Sequence, residues 1–129
     1  MKIKTADLID TALDWAVASI EALPKDRLHL FYGKPAIDRE CLGRIDTLRC
    51  EFSTNWAQGG PIIEREKLEL RCNDDGWQAF CFGFPVTKAH SGRRVWAAGP
   101  TPLIAAMRCI VTSELGDEVE IPDELMKCT

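Results

Sequence analysis

The chain has 129 residues, of which 46% are hydrophobic and 28% are charged. This length and composition are typical of one globular domain covering residues 1–129, which can fold without disulfides or a metal. The formal net charge of −4, from 16 basic and 20 acidic residues, argues against nucleic acid or an anionic membrane as a non-specific partner.

No apolar run in the sequence approaches the roughly 20 residues that a transmembrane helix needs. The first ten residues, MKIKTADLID, turn acidic and amphipathic at once, which is not the pattern of a signal peptide. We therefore expect the protein to stay in the cytoplasm where it is made.

The sequence contains six cysteines: Cys41, Cys50, Cys72, Cys81, Cys109 and Cys128. They form no CxxC pair, and neither His29 nor His90 lies at ligand spacing from any of them. We therefore expect no metal site and infer no cofactor. The thiols are expected to act as small buried hydrophobic groups, with Cys128 exposed near the end.

The stretch TADLIDTALDWAVASIEAL has the apolar spacing of an amphipathic helix. Its predicted apolar stripe consists of Ile9, Leu13, Ala16, Ile20 and Leu23. Thr5 is placed to cap this helix, Asp7 suits its first turn, and Pro24 marks its end.

Strand patterns follow the first helix. DRLHLFYG alternates apolar and polar residues, and TLRCEFS alternates through Leu48, Cys50 and Phe52, so both are predicted strands. KPAIDRECLG, which lies between them, has no firm period and is predicted to be a loop or a poor helix.

A hairpin is predicted further along the chain. LELRC and the aromatic run WQAFCFGF are separated by NDDG, a strong turn signal. TKAHSGRR is polar and is predicted to be an exposed loop, and VWAA is predicted to be a short strand.

The stretch GPTPLIAAMRCIVTSELGDE predicts a second clear helix. Thr101 suits the N-cap, Pro102 suits the first helical position, and Gly116 supplies the stop. The predicted apolar face consists of Leu103, Met107, Ile110 and Val111. Val119 and Ile121 of the acidic tail are expected to fold back onto the body.

Two amphipathic helices can cover one face of a small antiparallel sheet. The predicted fold class is therefore α+β, with the N-terminal and C-terminal helices packed on the sheet and PIIEREKL as a short connecting helix.

The segment TNWAQGGPIIERE has two interpretations. In the structural one, Gly59 and Gly60 form a joint before the connecting helix, which Pro61 begins, and Trp56 fills a gap in the core. In the functional one, the glycines bring the backbone close to a ligand or partner, and side chains supply the contacts. The candidate contact residues are Trp56, Gln58, Gly59, Gly60, Glu64, Arg65 and Glu66. The segment is not a phosphate loop, because it lacks the lysine followed by serine or threonine.

A second candidate site lies in SGRRVWAAGPTP, at the start of the second helix. A helix N-terminus near arginines can hold an anion, and the candidate residues are Arg93, Gly99 and Thr101. The prolines on both sides of Thr101 lack the amides that would help to bind the anion. The simpler interpretation is that Arg93 and Arg94 lie in a solvated loop.

Evidence for catalysis is thin. The sequence contains no GxSxG or HExxH motif. Glu64 and Glu66 are two residues apart, so they point to different sides of a helix and cannot form a facing acid–base pair on that element alone.

Three stretches together resemble the NinX-like proteins of tailed bacteriophages and prophages: MKIKTADLIDTALDWAVA, STNWAQGGPIIERE and GPTPLIAAMRCIVTSELGDEVEIPDEL. The order of elements is more distantly similar to small phage α–β–α sandwich domains, which says nothing about function. The resemblance implies a phage accessory protein acting in the cytoplasm of the bacterial host, and it carries over no catalytic residues.

The leading hypothesis is a non-catalytic accessory protein that binds a host protein, or forms a homodimer, through the Trp56–Arg65 segment. The alternative is a small-ligand binder that sequesters a nucleotide signal of host defence. In that version Trp56 or Trp96 stacks a base, and Arg93 with the amides near Thr101 holds phosphate. An enzyme acting on a small polar substrate is a third hypothesis.

Overall fold

The protein is described here by a computed structural model, which covers residues 1–22, 25–82 and 94–126. The helices in these ranges are α1 (Asp10–Glu21), α2 (Trp56–Glu66), α3 (Pro102–Leu115) and α4 (Asp123–Met126). The strands are β1 (Lys2–Lys4), β2 (Leu28–Phe31), β3 (Lys34–Cys41), β4 (Arg44–Arg49), β5 (Glu69–Asn73), β6 (Gly76–Phe82), β7 (Arg94–Gly99) and β8 (Glu118–Glu120). The predicted α+β class is confirmed.

The strands form three small antiparallel sheets in the described part of the chain, where the sequence predicted one. β1 pairs with β8, the second sheet has the order β2-β3-β4, and the third has the order β5-β6-β7. The predicted hairpin is confirmed as β5–β6, with Asn73 opposite Gly76 at its turn, and VWAA lies within β7. Most of the predicted loop TKAHSGRR lies outside the described residues.

Helix α3 is the centre of the core. Its buried residues are Leu103, Ile104, Ala105, Ala106, Met107, Cys109, Ile110, Val111 and Ser113. The predicted face is confirmed, but burial extends around the helix because α3 packs on β6 and β7 and also contacts α1 and α2. A helix covered on several sides is apolar around most of its circumference.

The predicted start of the first helix is wrong. Thr5 lies in a 3-10 turn before α1, where it is buried and its hydroxyl donates a 2.7 Å hydrogen bond to the carbonyl oxygen of Gly116. Ile9 occupies the N-cap and provides no side-chain cap. Because the Thr5 hydroxyl bonds to a distant carbonyl, α1 begins only at Asp10. Leu23 and Pro24, the predicted end, lie outside the described ranges.

The prediction of a loop or poor helix at KPAIDRECLG is also wrong. This segment contains β3, which pairs with β2 on one side and β4 on the other, so Ile37 lies opposite both Leu28 and Leu48. Only the first part of β3 is covered, with Ala36 and Ile37 buried, whereas Leu42 at the next turn is 98% exposed. Two neighbouring strands supply hydrogen-bond partners for the backbone of β3, so this strand forms although its sequence has no alternating apolar pattern.

Strand β4 ends earlier than predicted. Arg49 is its last residue, and the chain then turns before α2. Cys50 and Phe52 are both buried, but they pack from this turn and not from a strand.

The acidic tail folds back onto the body, as predicted. Val119 lies opposite Ile3 in the β1–β8 pair, and Val119 and Ile121 are both buried. None of the helices in the described ranges has the length and hydrophobicity required to span a bilayer.

Candidate functional site

The prediction that Gly59 and Gly60 form a joint before the connecting helix is wrong, because both lie inside α2. The helix begins earlier because the Asn55 side chain caps it, accepting a 2.9 Å hydrogen bond from the amide of Ala57. Pro61 therefore lies within the helix and not in its first turn.

The two glycines have different environments. A Cβ at Gly59 would lie 2.6 Å from Cδ2 of Leu103 and 2.6 Å from the carbonyl oxygen of Phe52. A Cβ at Gly60 would find only Cε3 of Trp56, at 3.9 Å. The close backbone approach at Gly59 is therefore made by the protein's own core.

Trp56 does not fill a gap in that core, because it is 52% exposed. Trp56, Gly60 and Glu64 follow one another at intervals of four, which places them on one face of α2. These three candidates lie on the surface of the helix, with Trp56 and Glu64 exposed.

Two other candidates on α2 make internal contacts. The Gln58 side-chain oxygen accepts a 2.7 Å hydrogen bond from the amide of Glu51, and its nitrogen donates a 2.8 Å bond to the carbonyl oxygen of Arg49. Arg65 donates two bonds of 2.9 Å to the carboxylate of Glu21 on α1. Donation of these hydrogen bonds to Glu21 raises the pKa of the Arg65 guanidinium. Both side chains fix the position of α2.

The second region proposed from the sequence also has structural contacts. The Thr101 hydroxyl accepts a 3.1 Å hydrogen bond from the amide of Ile104, which caps α3 as predicted. A Cβ at Gly99 would lie 2.7 Å from the backbone nitrogen of Ala105, so β7 and α3 pack closely here. Arg93 lies outside the described residues.

A cavity of about 920 Å³, here called the β7 cleft, lies beside the end of β7. Its lining includes Trp96–Pro100 and the β5–β6 turn. It also includes Lys4–Ala6, Asp117, Glu118 and Arg108 of α3. Trp96 and Gly99 were singled out from the sequence. The remaining residues come from distant segments, and no local spacing links them.

Arg108, which lines the β7 cleft, bonds to two backbone carbonyls. Its Nε donates a 2.8 Å hydrogen bond to the carbonyl oxygen of Leu8, and its Nη1 donates a 2.9 Å bond to that of Ala98. Burial lowers the pKa of this guanidinium. The segment before α1 is thereby attached to β7.

The lining of the β7 cleft combines aromatic and acidic side chains. Trp96 is 58% exposed, and Trp77 lies in the same lining. Asp75, Asp117 and Glu118 contribute carboxylates. Indole rings bind flat or cationic groups, and carboxylates favour a positive charge nearby.

A smaller cavity of about 220 Å³ lies beside α1 and is lined by Asp14, Lys34, Arg49 and other residues. Asp14 is buried and accepts a 2.8 Å hydrogen bond from the amide of Ser53. Burial raises the pKa of its carboxyl to about 6. Sequence analysis missed this residue, whose only signal is an acid among the apolar residues of a predicted helix.

The cysteines supply no metal site in the described ranges. Cys50, Cys81 and Cys109 are buried, as predicted, but the prediction of burial is wrong for Cys72, which is exposed at the end of β5. No group of three or more histidine, cysteine or acidic side chains in these ranges could hold a metal ion. Cys128 lies outside the described residues.

A search among curated proteins finds no match to this chain. The sequence model of the family described as bacteriophage P22, NinX matches residues 4–114. The match covers most of the chain, including α1, α2 and nearly all of α3, and it agrees with the resemblance seen in the sequence. The chain therefore belongs to the phage P22 NinX family.

Proposed function

We propose that this phage accessory protein acts in the bacterial cytoplasm by binding, without catalysis, and that the β7 cleft is its binding site. The observation that carries the proposal is the cleft itself, which has a volume of about 920 Å³ and two tryptophans in its lining. Small-molecule sites of about 300–1,000 Å³ are typical of proteins, and they combine apolar walls with a few polar groups.

The charges in the cleft favour a neutral or cationic ligand. Asp75, Asp117 and Glu118 line it, whereas the Arg108 guanidinium already donates to two backbone carbonyls. The three carboxylates outnumber the two cationic side chains in the lining, Lys4 and Arg108. The cleft therefore supports the nucleotide version of the ligand hypothesis less well than a ligand with a flat apolar part and a hydrogen-bond donor or positive charge.

The test is a fragment screen against ¹⁵N-labelled protein, read through the indole N–H signals of the four tryptophans. Binding in the β7 cleft is expected to shift the signals of Trp77 and Trp96 and to leave those of Trp15 and Trp56 in place. Trp96→Ala should abolish the response, and Trp56→Ala is the matched control. Hits that shift Trp56 alone, or no hits at all, would overturn the proposal.

A second candidate function is the capture of a protein partner on the outer face of α2. Its supporting observation is Trp56, whose large apolar side chain is 52% exposed, because tryptophan is enriched among residues that dominate protein interfaces. Fewer side chains on this face are available to a partner than the sequence analysis predicted, because Gln58 and Arg65 make internal contacts.

Photo-crosslinking in phage-infected cells tests this second candidate. Trp56→p-benzoylphenylalanine is expected to give one discrete adduct, whereas the same replacement at Leu115, an exposed position at the end of α3, should not. An adduct with the mass of two chains would identify the partner as a second copy. Identical adduct patterns from the two positions would reject a specific surface at Trp56.

A further inference from the structure

Two of the buried cysteines meet between β6 and α3. Cys81 of β6 lies opposite Val95 of β7, and both are buried on the face of the sheet that α3 covers. Cys109 lies in the middle of α3, and its thiol is 3.6 Å from the carbonyl oxygen of Val95. This position places the two thiols side by side, and they are hydrogen-bonded to each other.

The hydrogen bonds make the two thiols chemically unequal. The sulfur of Cys81 accepts from the thiol of Cys109 and from the hydroxyl of Ser113, one turn further along α3. These bonds lower the pKa of Cys81 to about 6, although burial and the charges of Glu66 and Glu114 oppose the change. Donation to Cys81, together with burial, raises the pKa of Cys109. The thiolate is the nucleophilic form of cysteine, so Cys81 is the more reactive of the two.

Cys50 shows what burial does to a thiol in a different environment. It is 2% exposed, and its thiol lies 3.7 Å from the carbonyl oxygen of Leu48. Burial raises the pKa of Cys50 to about 12, which keeps the thiol protonated and unreactive. The contact between two sulfur atoms therefore distinguishes Cys81 and Cys109 from a cysteine that only fills space in the core.

We propose that Cys81 and Cys109 form a site of reversible oxidation, at which hydrogen peroxide converts the two thiols into an intrachain disulfide between β6 and α3. Cys81 is 7% exposed and Cys109 is 0% exposed, so a small oxidant reaches Cys81 first. Disulfides formed in a reducing compartment are usually transient, and this one is expected to report an oxidising episode.

The reaction has two steps. The thiolate of Cys81 attacks one oxygen of hydrogen peroxide, so that an S–O bond forms, the O–O bond breaks, and the hydroxide that leaves takes up a proton to become water. Cys81 is then a sulfenic acid. The sulfur of Cys109 attacks the sulfur of Cys81, the S–O bond breaks, and a second water leaves with the proton of the Cys109 thiol. The two sulfurs together lose two electrons, which the peroxide gains.

The disulfide would tie the central helix of the core to the sheet. The chain between the two cysteines contains β7 with its exposed Trp96. A cross-link that closes a loop of this size restricts the unfolded chain more than the folded one. The oxidised protein is therefore expected to be more resistant to unfolding than the reduced protein.

Peptide mapping of the wild-type protein tests the pairing. The reduced protein is treated with hydrogen peroxide and digested without reductant by trypsin and by Asp-N, which cuts between Cys72 and Cys81. The expected product has lost two hydrogen atoms per chain and contains one cross-link, between Cys81 and Cys109, which dithiothreitol removes. Its urea midpoint should be about 1–2 M higher than that of the reduced protein.

Variants test the order of the two steps. In Cys109→Ala the sulfenic acid of Cys81 should persist and be captured by dimedone, whereas in the wild type the disulfide forms first. Cys50→Ala is the matched control, since Cys50 is also buried, and it should form the cross-link in the same yield as the wild type. Far-UV circular dichroism confirms that each variant is folded.

Three results with the wild-type protein would overturn the proposal, whether or not the variants fold. Conversion of Cys81 to a sulfinic acid beside an unchanged Cys109 would show that the backbones of β6 and α3 do not come close enough for a disulfide. A cross-link from either residue to Cys72 would show a different pairing. Oxidation of the exposed Cys72 with no change at Cys81 would show that peroxide does not reach the pair.

Discussion

The carboxylate of Asp14 on α1 accepts a buried hydrogen bond of 2.8 Å from the backbone N–H of Ser53, which lies in the turn before α2. Asp14 is only 4% exposed. Burial raises the pKa of its carboxyl from 3.8 to about 6, with smaller contributions from the nearby charges of Asp10 and Glu51, although the contacts with Ser53 oppose the rise. The folded protein therefore binds this proton more tightly than the unfolded chain does.

Asp14→Asn is expected to stabilise the protein at neutral pH. A folded-state pKa above the unfolded value means that the stability from this group is complete below about pH 3.8 and is lost as the pH rises through about 6. At roughly 1.4 kcal/mol per pKa unit, the loss in the wild type is about 1–3 kcal/mol. Asparagine does not titrate, so its variant should exceed the wild type by that amount at about pH 7.5 and match it near pH 4.

Urea unfolding at several pH values measures this difference. Asp10→Asn is the matched control, because Asp10 is exposed on the same helix and its replacement should change stability by about 0.5 kcal/mol or less. If Asp14→Asn were less stable than the wild type at neutral pH, the ionised carboxylate would be a net stabilising group and the argument from burial would fail.

Gly59→Ala and Gly60→Ala are expected to change stability in opposite directions. The new Cβ at position 59 would lie 2.6 Å from the Phe52 carbonyl oxygen and from Leu103, so overpacking should cost about 1–3 kcal/mol. At position 60 the nearest atom is Cε3 of Trp56 at 3.9 Å. Alanine is a better helix former than glycine, so this second variant should gain about 0.5–1 kcal/mol.

Thermal and urea unfolding of the two variants give the comparison directly, because each serves as the control for the other. Equal effects at the two positions would show that α2 does not pack on α3 through Gly59. A stabilised Gly60→Ala variant would also change the α2 surface beside Trp56 without replacing Trp56 itself.

Helix α3 was predictable because both of its ends carry local signals. Thr101 accepts from the amide of Ile104 within the same turn, and Gly116 adopts a positive φ of 96°. Thr5 offered the same signal for α1, yet its hydroxyl bonds to Gly116, 111 positions away. A potential capping residue in a sequence reliably predicts the start of a helix only when no tertiary partner competes for its side chain.

The β7 cleft could not be predicted because its parts meet only through tertiary structure. Lys4, Asp75 and Asp117 come from three separate segments, and the sequence predicted neither the β1–β8 pair nor the contact of Arg108 with Leu8. The role of Gly59 could not be predicted either, because it depends on whether a ligand or the protein itself approaches the backbone there. The approaching atoms belong to Leu103 and Phe52, and the spacing of residues in the sequence identified neither.

The ion pair between Arg65 and Glu21 is expected to couple α2 to α1 by about 0.5–1 kcal/mol. Both hydrogen bonds measure 2.9 Å, and this two-bond geometry favours the pair. The Arg65 side chain is 53% exposed and that of Glu21 is 21% exposed, so solvent screening limits the energy.

A double-mutant cycle with Arg65→Ala and Glu21→Ala measures the coupling, which should fall in high salt. Arg65→Lys should retain only part of it because lysine cannot form the paired contact. Zero coupling in low salt would contradict a structural role for Arg65.

Thr101→Ala is expected to destabilise the protein by about 1 kcal/mol, the usual cost of losing an N-cap side chain. The hydroxyl accepts from the amide of Ile104 at 3.1 Å, and α3 has more buried residues than α1 or α2. Thr101→Ser keeps the acceptor oxygen and should remain within about 0.5 kcal/mol of the wild type. Urea unfolding distinguishes this capping role from the anion-binding role considered for the same residue. A variant of unchanged stability would contradict the capping role. The capping role predicts that Thr101→Ala loses stability even in the absence of a ligand. The amide of Ile104, which an anion would need, is already bonded to the Thr101 hydroxyl.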